Sequence, residues 1–174
     1  AQALRELARL LADQDEPVDI AINSKNSQVL FTMKNIELVS QIVQGSYPNY
    51  KRLVPERYVT QTTVDLVEFR NAVKRAAIFA DAKDGNIRLQ TSENVMSVSA
   101  HGEEIGNNLT EVGASIIGDA AKIALQADQL IEVLTAFDKG KIVIETSAST
   151  SPAVIRQEGD AYYLCVIMPK HVNW

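Results

Sequence analysis

The sequence predicts an α+β fold built from repeated helix–strand–strand–strand units. Apolar residues at helical spacing recur in three stripes, and each stripe is followed by apolar residues at strand spacing. The stripes begin at Leu4, Leu66 and Ala127, so successive units are 62 and 61 residues apart. Such a fixed period indicates an internal repeat. One irregular α+β domain is the alternative interpretation.

In the first unit, a helical stripe runs from Leu4 to Leu11 and ends at the segment 15–17, which contains Pro17. Strands are predicted at 18–22, 29–33 and 36–43, with turns at 25–27 and 34–35.

In the second unit, Asp65 is a candidate N-cap and Glu68 its capping-box partner. The helix is predicted over 66–80, and Gly85 closes the segment. Two short strands follow at 87–89 and 96–100, then a loop at 101–113 and a long strand at 114–125.

In the third unit, a helix over 127–137 is stopped by Gly140, and strands follow at 142–146, 153–156 and 162–168. Two such units can close a core by placing two helices side by side on a shared antiparallel layer. Units two and three therefore pair as one domain, and unit one is left as a half-domain. The odd number of units predicts a fragment of a longer protein.

Composition narrows the functional classes. The chain has 174 residues, 46% of them hydrophobic and 22% charged, which is a globular balance. The net charge of −5 argues against a surface that binds nucleic acid everywhere, although a local basic face is compatible with it. Cys165 is the single cysteine, and every apolar run falls short of the ~20 residues that span a membrane. A reduced, cytoplasmic setting is expected.

The sequence offers little catalytic chemistry. The two histidines, His101 and His171, lack neighbours at metal-ligand spacing, and nucleophile-elbow, phosphate-loop and zinc-helix motifs are missing. Cys165 lies in an apolar run and is expected to be a buried small hydrophobe. The pair Glu103 and Glu104 is expected to form a solvated acidic tip. We therefore predict neither an enzyme nor a cofactor or metal.

Two segments are open to a functional interpretation. The connector 44–55 is bracketed by Pro48 and Pro55, and is either a stiff linker or the wall of a groove between domains. The C-terminal run 166–170 is either an adaptable peptide-binding strand or a core strand with a frayed tail.

The helices also carry basic pairs. Arg70 and Lys74 are four residues apart, as are Arg5 and Arg9, so each pair shares one helix face. These faces are either simply solvated or turned toward phosphates.

Three motifs together resemble the bacterial sliding clamp, the beta subunit of DNA polymerase III. They are the connector 44–55 (QGSYPNYKRLVP), the helix end 74–79 (KRAAIF) and the closing strand 162–170 (YYLCVIMPK). The resemblance implies a head-to-tail homodimer with three similar domains per subunit, which closes a ring on duplex DNA. Residues 1–55 would then be the second half of the middle domain with the connector, and 56–174 the complete third domain.

The resemblance also implies site residues. A groove between the middle and third domains would take short linear motifs of the polymerase alpha subunit and clamp-loader subunits. The matching positions here are Pro48, Arg52, Leu53, Thr150, Pro152, Val166, Ile167, Met168, Pro169 and Lys170. Gln126 and Gln129 stand where the family often has Asn and Tyr. The positions that match the family's ring interface are Ile78, Phe79, Glu103 and Glu104, and Phe79 is expected to be exposed. The candidates for residues that face DNA are Arg5, Arg9, Arg70, Lys74 and Arg75.

The leading hypothesis is therefore a non-catalytic processivity factor that encircles DNA. The alternative from another class is a stand-alone peptide-binding module without DNA encirclement.

Overall fold

The structure, a computed structural model, describes residues 2–12, 15–25, 27–47, 49–80, 85–160 and 162–174, with only the main chain of Lys51. The chain forms two compact units, residues 1–48 and 49–174. The connector from Asn49 onward therefore belongs to the second unit.

The first unit is a helix and a three-stranded antiparallel sheet: α1 (Gln2–Leu10), β1 (Asp19–Ile22), β2 (Gln28–Met33) and β3 (Ile36–Gln41), in the order β1-β2-β3. The predicted helix and three strands are confirmed. Between β1 and β2, the side chain of Asn23 accepts hydrogen bonds from the main-chain N–H groups of Ser27 at 2.8 Å and Gln28 at 3.2 Å. This Asn-mediated turn fixes the register of the first hairpin.

The described residues of the second unit form two helices and eight strands. In chain order they are β4 (Thr60–Asp65), α2 (Leu66–Phe79), β5 (Asn86–Ser92), β6 (Val95–Gly102), β7 (Gly106–Gly118), β8 (Lys122–Gln126), α3 (Ala127–Thr135), β9 (Lys141–Thr146), β10 (Ala153–Gln157) and β11 (Leu164–Ile167). A short 3-10 turn, Tyr50–Arg52, precedes them. The strands form one antiparallel sheet in the order β11-β10-β9-β4-β7-β6-β5-β8.

Each repeat of the second unit contains the predicted helix followed by three strands, and one further strand, β4 or β8, precedes the helix. Strand β4 escaped prediction because two of its three buried residues, Thr60 and Thr62, are polar. The predicted loop 101–113 is wrong, since β6 reaches Gly102 and β7 begins at Gly106. The predicted long strand 114–125 is wrong as well, because it breaks after Gly118.

The two repeats of the second unit interleave. The first strand of each repeat pairs with the strand that follows the helix of the other, so β4 pairs with β9 and β8 pairs with β5. Strand β7 divides its pairing between β6 and β4. The edge strands β8 and β11 are joined beyond β11, where the N–H of Lys170 donates to the carbonyl of Ala124 at 2.8 Å.

Both helices pack side by side on one face of this sheet, as the pairing of units two and three predicts. Asp65 caps α2, since its carboxylate accepts hydrogen bonds from the N–H groups of Val67 at 2.9 Å and Glu68 at 3.0 Å. The Asp65 part of the predicted capping box is therefore confirmed. Cys165 packs half-buried against the core.

Candidate functional site

The sheet has a second face, turned away from α2 and α3, at the β9-β10-β11 end. Side chains alternate between the two faces of a strand. Ile155 and Ile167 are buried in the core among the helices, so Val154 and Val166, which pair directly, lie on the opposite face. This helix-free face is where the predicted peptide-binding positions of the last strands can meet a ligand.

An apolar strip crosses that face. The β10–β11 register pairs Ala153 with Ile167, and its continuation places Pro152 opposite Met168. The strip consists of Pro152, Val166 and Met168 at the surface, with Val154, which is only 2% exposed, buried beneath it; Met168 is its most exposed member, with 57% of its surface accessible. Exposed methionine beside branched aliphatic residues gives an adaptable apolar surface. The structure thus brings three of the predicted peptide-binding positions together, namely Pro152, Val166 and Met168.

Ile167 corrects the predicted set. Its side chain is 4% exposed and belongs to the core cluster, on the face opposite to Val166 and Met168. A residue that points into the core cannot touch a ligand on the other face. Ile167 therefore supports the strip from behind.

A polar network borders the apolar strip. Nη2 of Arg156 lies 2.6 Å from the Glu145 carboxylate, whose other oxygen accepts a bond from Nε2 of Gln61 at 3.4 Å. The same Gln61 nitrogen bonds the hydroxyl of Tyr58 at 3.3 Å. Glu145 is only 8% exposed, so its charge depends on Arg156 for compensation. The apolar pattern of these strands gave no sign of this network.

The chain reaches the same end of the sheet just after the connector. The 3-10 turn of the connector leaves Arg52 exposed and Leu53 about half-exposed. Further on, the N–H of Val59 donates to the carbonyl of Thr146 at 2.9 Å, and the hydroxyl of Ser147 donates to the carbonyl of Arg57 at 3.2 Å. These bonds tie residues 57–59, which follow the connector, to the β9–β10 turn, which carries the exposed Thr150.

Three predicted peptide positions remain, and the structure describes two of them. Pro169 and Lys170 continue beyond β11, with Pro169 partly buried and Lys170 exposed. Pro48 lies outside the described residues.

The predicted ring-interface residues lie in two places. Ile78 is 67% exposed on α2, and Glu103 and Glu104 are exposed in the β6–β7 turn. Phe79 departs from its expected exposure, because its side chain packs partly buried against the core. Ile105, in the same turn and 55% exposed, is an apolar group that the sequence did not single out.

The predicted DNA-facing residues differ in their partners. Lys74 and Arg75 are exposed on α2, whereas half-buried Arg70 donates to the main-chain carbonyl groups of Leu134 at 3.0 Å and Phe137 at 2.6 Å. In the first unit, Arg5 is exposed on α1, and Arg9 pairs with Glu6 at 2.5 Å. That hydrogen bond lowers the pKa of the Glu6 carboxyl below its ordinary value.

Among the described residues, no three His, Cys, Asp or Glu side chains are grouped to hold a metal ion. In the same part of the chain, each helix is too short or too polar to cross a bilayer.

The interleaved strand–helix–three-strand fold is that of clamp proteins of known structure. The DNA polymerase III beta chain of Streptococcus pneumoniae is 25% identical with a TM-score of 0.81, covering 98% of this chain and 46% of that one. The sliding clamp of Bacillus subtilis is 27% identical with a TM-score of 0.80, covering 99% of this chain and 46% of that one.

Sequence comparison names the family. The profile of the family described as DNA polymerase III beta subunit, C-terminal domain, matches residues 51–171. The beta sliding clamp of Staphylococcus aureus is 32% identical over 170 residues, which is 97% of this chain and 45% of that protein. The chain belongs to the DNA polymerase III beta subunit family, and it spans about half the length of the curated relatives that it matches.

Proposed function

We propose that this chain is part of a sliding clamp that encircles duplex DNA and confers processivity on the replicative polymerase without catalysing a reaction itself. Its similarity to beta sliding clamps along 97% of its length supports this role. In this assignment residues 1–55 are the second half of the middle domain with the connector, and 56–174 are the complete third domain. The setting is the cytoplasm, and the full-length protein is a homodimer.

The docking of partner peptides is the part of this function that the geometry supports best. The single observation that carries it is the apolar strip, an adaptable surface on the helix-free face. Arg52 and Lys170 add positive charge to the proposed site. A short peptide with large apolar side chains and a polar or acidic residue fits this combination. The polymerase alpha subunit and clamp-loader subunits would supply such segments.

The test is titration of a fluorescent peptide of the Q-x-x-L-x-F type, with a scrambled peptide as control. We expect saturable binding that weakens about tenfold in Met168→Ala and in Arg52→Ala, as interface residues of central importance do. The matched control is Tyr162→Ala, which removes a fully exposed aromatic group outside the strip. Equal affinity of all four proteins would remove Met168 and Arg52 from the site.

The ring interface and the DNA surface form the second part of the proposal. Ile78, Glu103 and Glu104 would meet another subunit, with Phe79 supporting Ile78 from the core. Arg5, Arg9, Lys74 and Arg75 would face phosphates, since exposed cations provide sequence-independent attraction to the DNA backbone.

A second candidate function is a stand-alone peptide-binding module without DNA encirclement. The observation in its favour is that the whole apolar strip belongs to the unit 49–174. Peptide binding by this chain together with an equal affinity for DNA of wild type and Lys74→Ala/Arg75→Ala would favour it.

A further inference from the structure

The C-terminal tail, residues 169–174, runs from the end of β11 to the other edge of the sheet. There the N–H of Lys170 bonds the carbonyl of Ala124 on β8 at 2.8 Å. The neighbours of Ala124, Ile123 and Leu125, point into the core, so Ala124 points to the helix-free face. Ala124 is nevertheless only 1% exposed, which indicates that the tail covers it.

The tail ends in an aromatic contact with two cations. The ring of Trp174 lies 5.7 Å from Nζ of Lys122 on β8 and 5.9 Å from Cζ of Arg88 on β5. Arg88 pairs directly with Ala124, so the ring spans the two outermost strands of this edge. A cation within about 6 Å of an indole ring is attracted to its face, and here two cations share one ring.

Between these two attachments the tail borders a polar cavity of about 400 Å³. The cavity is lined by the tail and by residues of β5, β6 and the β6–β7 turn: Asn86, Arg88, His101, Glu103, His171, Val172 and Asn173. A polar cavity gives the tail little apolar burial. The described contacts that hold the tail on the sheet are therefore concentrated at Lys170 and Trp174.

We propose that Trp174 is a positioning residue that latches the tail to Arg88 and Lys122 and thereby orients Met168, Pro169 and Lys170. This inference rests on the proposed peptide site, to which these three residues belong. The ladder of β11 ends at Ile167, so Met168 lies outside it and the main chain is next held at Lys170. With the latch open, docking would have to order this segment, and that ordering weakens binding.

The latch itself is testable without a peptide, because Trp174 is the only tryptophan in the chain. Its emission and its quenching by acrylamide report directly on the contact. We expect the double variant Arg88→Gln/Lys122→Gln to shift the emission to longer wavelength and to increase quenching toward that of a free indole. Emission and quenching identical to wild type would overturn the latch. Circular dichroism of both proteins checks that the fold is kept.

The positioning role is tested by peptide affinity. We expect Trp174→Ala to weaken the Q-x-x-L-x-F peptide about fivefold, and Trp174→Phe, which keeps a ring, to restore most of the loss. Tyr162→Ala, the removal of a fully exposed aromatic group, should leave affinity unchanged. A Trp174→Ala affinity equal to wild type would overturn the positioning role.

The two experiments distinguish a failure of the proposed peptide site from a failure of the positioning role of Trp174. If wild type binds no peptide, peptide docking by this chain fails and the positioning role fails with it, whereas the fluorescence experiment still decides whether the latch exists. If wild type binds and Met168→Ala weakens binding while Trp174→Ala does not, the site stands and the inference is wrong.

Discussion

Arg70 and Phe137 are joined by a short hydrogen bond, in which Nη2 of the Arg70 guanidinium donates to the main-chain carbonyl oxygen of Phe137 at 2.6 Å. The same nitrogen also bonds the carbonyl of Leu134, in the last turn of α3. A positive group at the C-terminal end of a helix satisfies carbonyl groups that have no partner within the helix. Arg70 thus links the two helices, and its charge is directed toward α3.

We predict that Arg70→Ala destabilises the second unit by about 2 kcal/mol, because it leaves partly buried carbonyl oxygens without a donor. Urea denaturation followed by circular dichroism measures the change. Lys74→Ala, on the exposed side of the same helix, is the matched control and should change stability by less than about 0.5 kcal/mol. Similar losses in both variants would contradict the structural role of Arg70.

The residue at the end of β7 must be glycine. Gly118 has φ +98°, and a Cβ there would overlap the carbonyl oxygen of Val59. We expect Gly118→Ala to destabilise the unit by more than about 2 kcal/mol, from backbone strain and steric overlap together. Gly113→Ala, in the same strand but with open space around its Cβ, should be neutral or slightly stabilising. Thermal unfolding of the two variants distinguishes them.

Ile167 and Met168 are adjacent but should respond in opposite ways to truncation. Ile167→Ala leaves a cavity in the core and should reduce stability by about 3 kcal/mol. Met168→Ala removes an exposed group, so stability should change little while peptide affinity falls. Denaturation and peptide titration of both variants provide the measurements. A large stability loss in Met168→Ala would show that it is a core residue.

The Glu145–Arg156 pair should show strong energetic coupling. Arg156→Gln leaves the nearly buried Glu145 carboxylate without its partner, and Glu145→Gln leaves the partly buried Arg156 guanidinium without its own, and each should cost about 2 kcal/mol. The double variant should lose less than the sum, with a coupling of about 1 kcal/mol in a double-mutant cycle. The exposed pair Lys34–Glu16 is the control, with a coupling below about 0.5 kcal/mol. Additive losses at Glu145 and Arg156 would contradict the prediction.

For DNA, we predict that Lys74→Ala and Arg75→Ala each weaken duplex binding equally for all sequences. Each should reduce the slope of log K against log salt concentration by about 1, because one phosphate contact is lost. Fluorescence anisotropy over a range of salt concentrations measures this. Lys139→Ala, the loss of one charge beyond α3, is the control. An unchanged slope in the α2 variants would place the DNA surface elsewhere.

The helices could be predicted from sequence because their signals are local. Asp65 and the apolar stripe after it define α2 within a few residues of chain, and the 61-residue spacing to the next stripe locates α3. Strands β4 and β7 could not be predicted in the same way. Thr60 and Thr62 are buried only because β4 lies between β7 and β9, strands distant in sequence. Their burial depends on tertiary pairing, which the local pattern does not contain.

For the proposed site, sequence similarity predicted the positions but did not assign their faces. Val166, Ile167 and Met168 match one motif, yet the strand alternation directs Ile167 to the core and its two neighbours away from it. The partners of Arg70 and Arg156 were equally hidden, because a charged residue on an amphipathic element looks solvated until its neighbours are known. The contacts of the C-terminal tail could not be predicted either, since Arg88 and Lys122 are far from Trp174 in sequence.

The exchange of first strands between the two repeats has a consequence for the covalent chain. Residues 119–121 are the link between the repeats, and they lie outside any strand. A protease cut there would leave β4 in its ladder with β9 and β8 in its ladder with β5. The two fragments would remain associated as complementing halves, and neither would complete its own sheet alone.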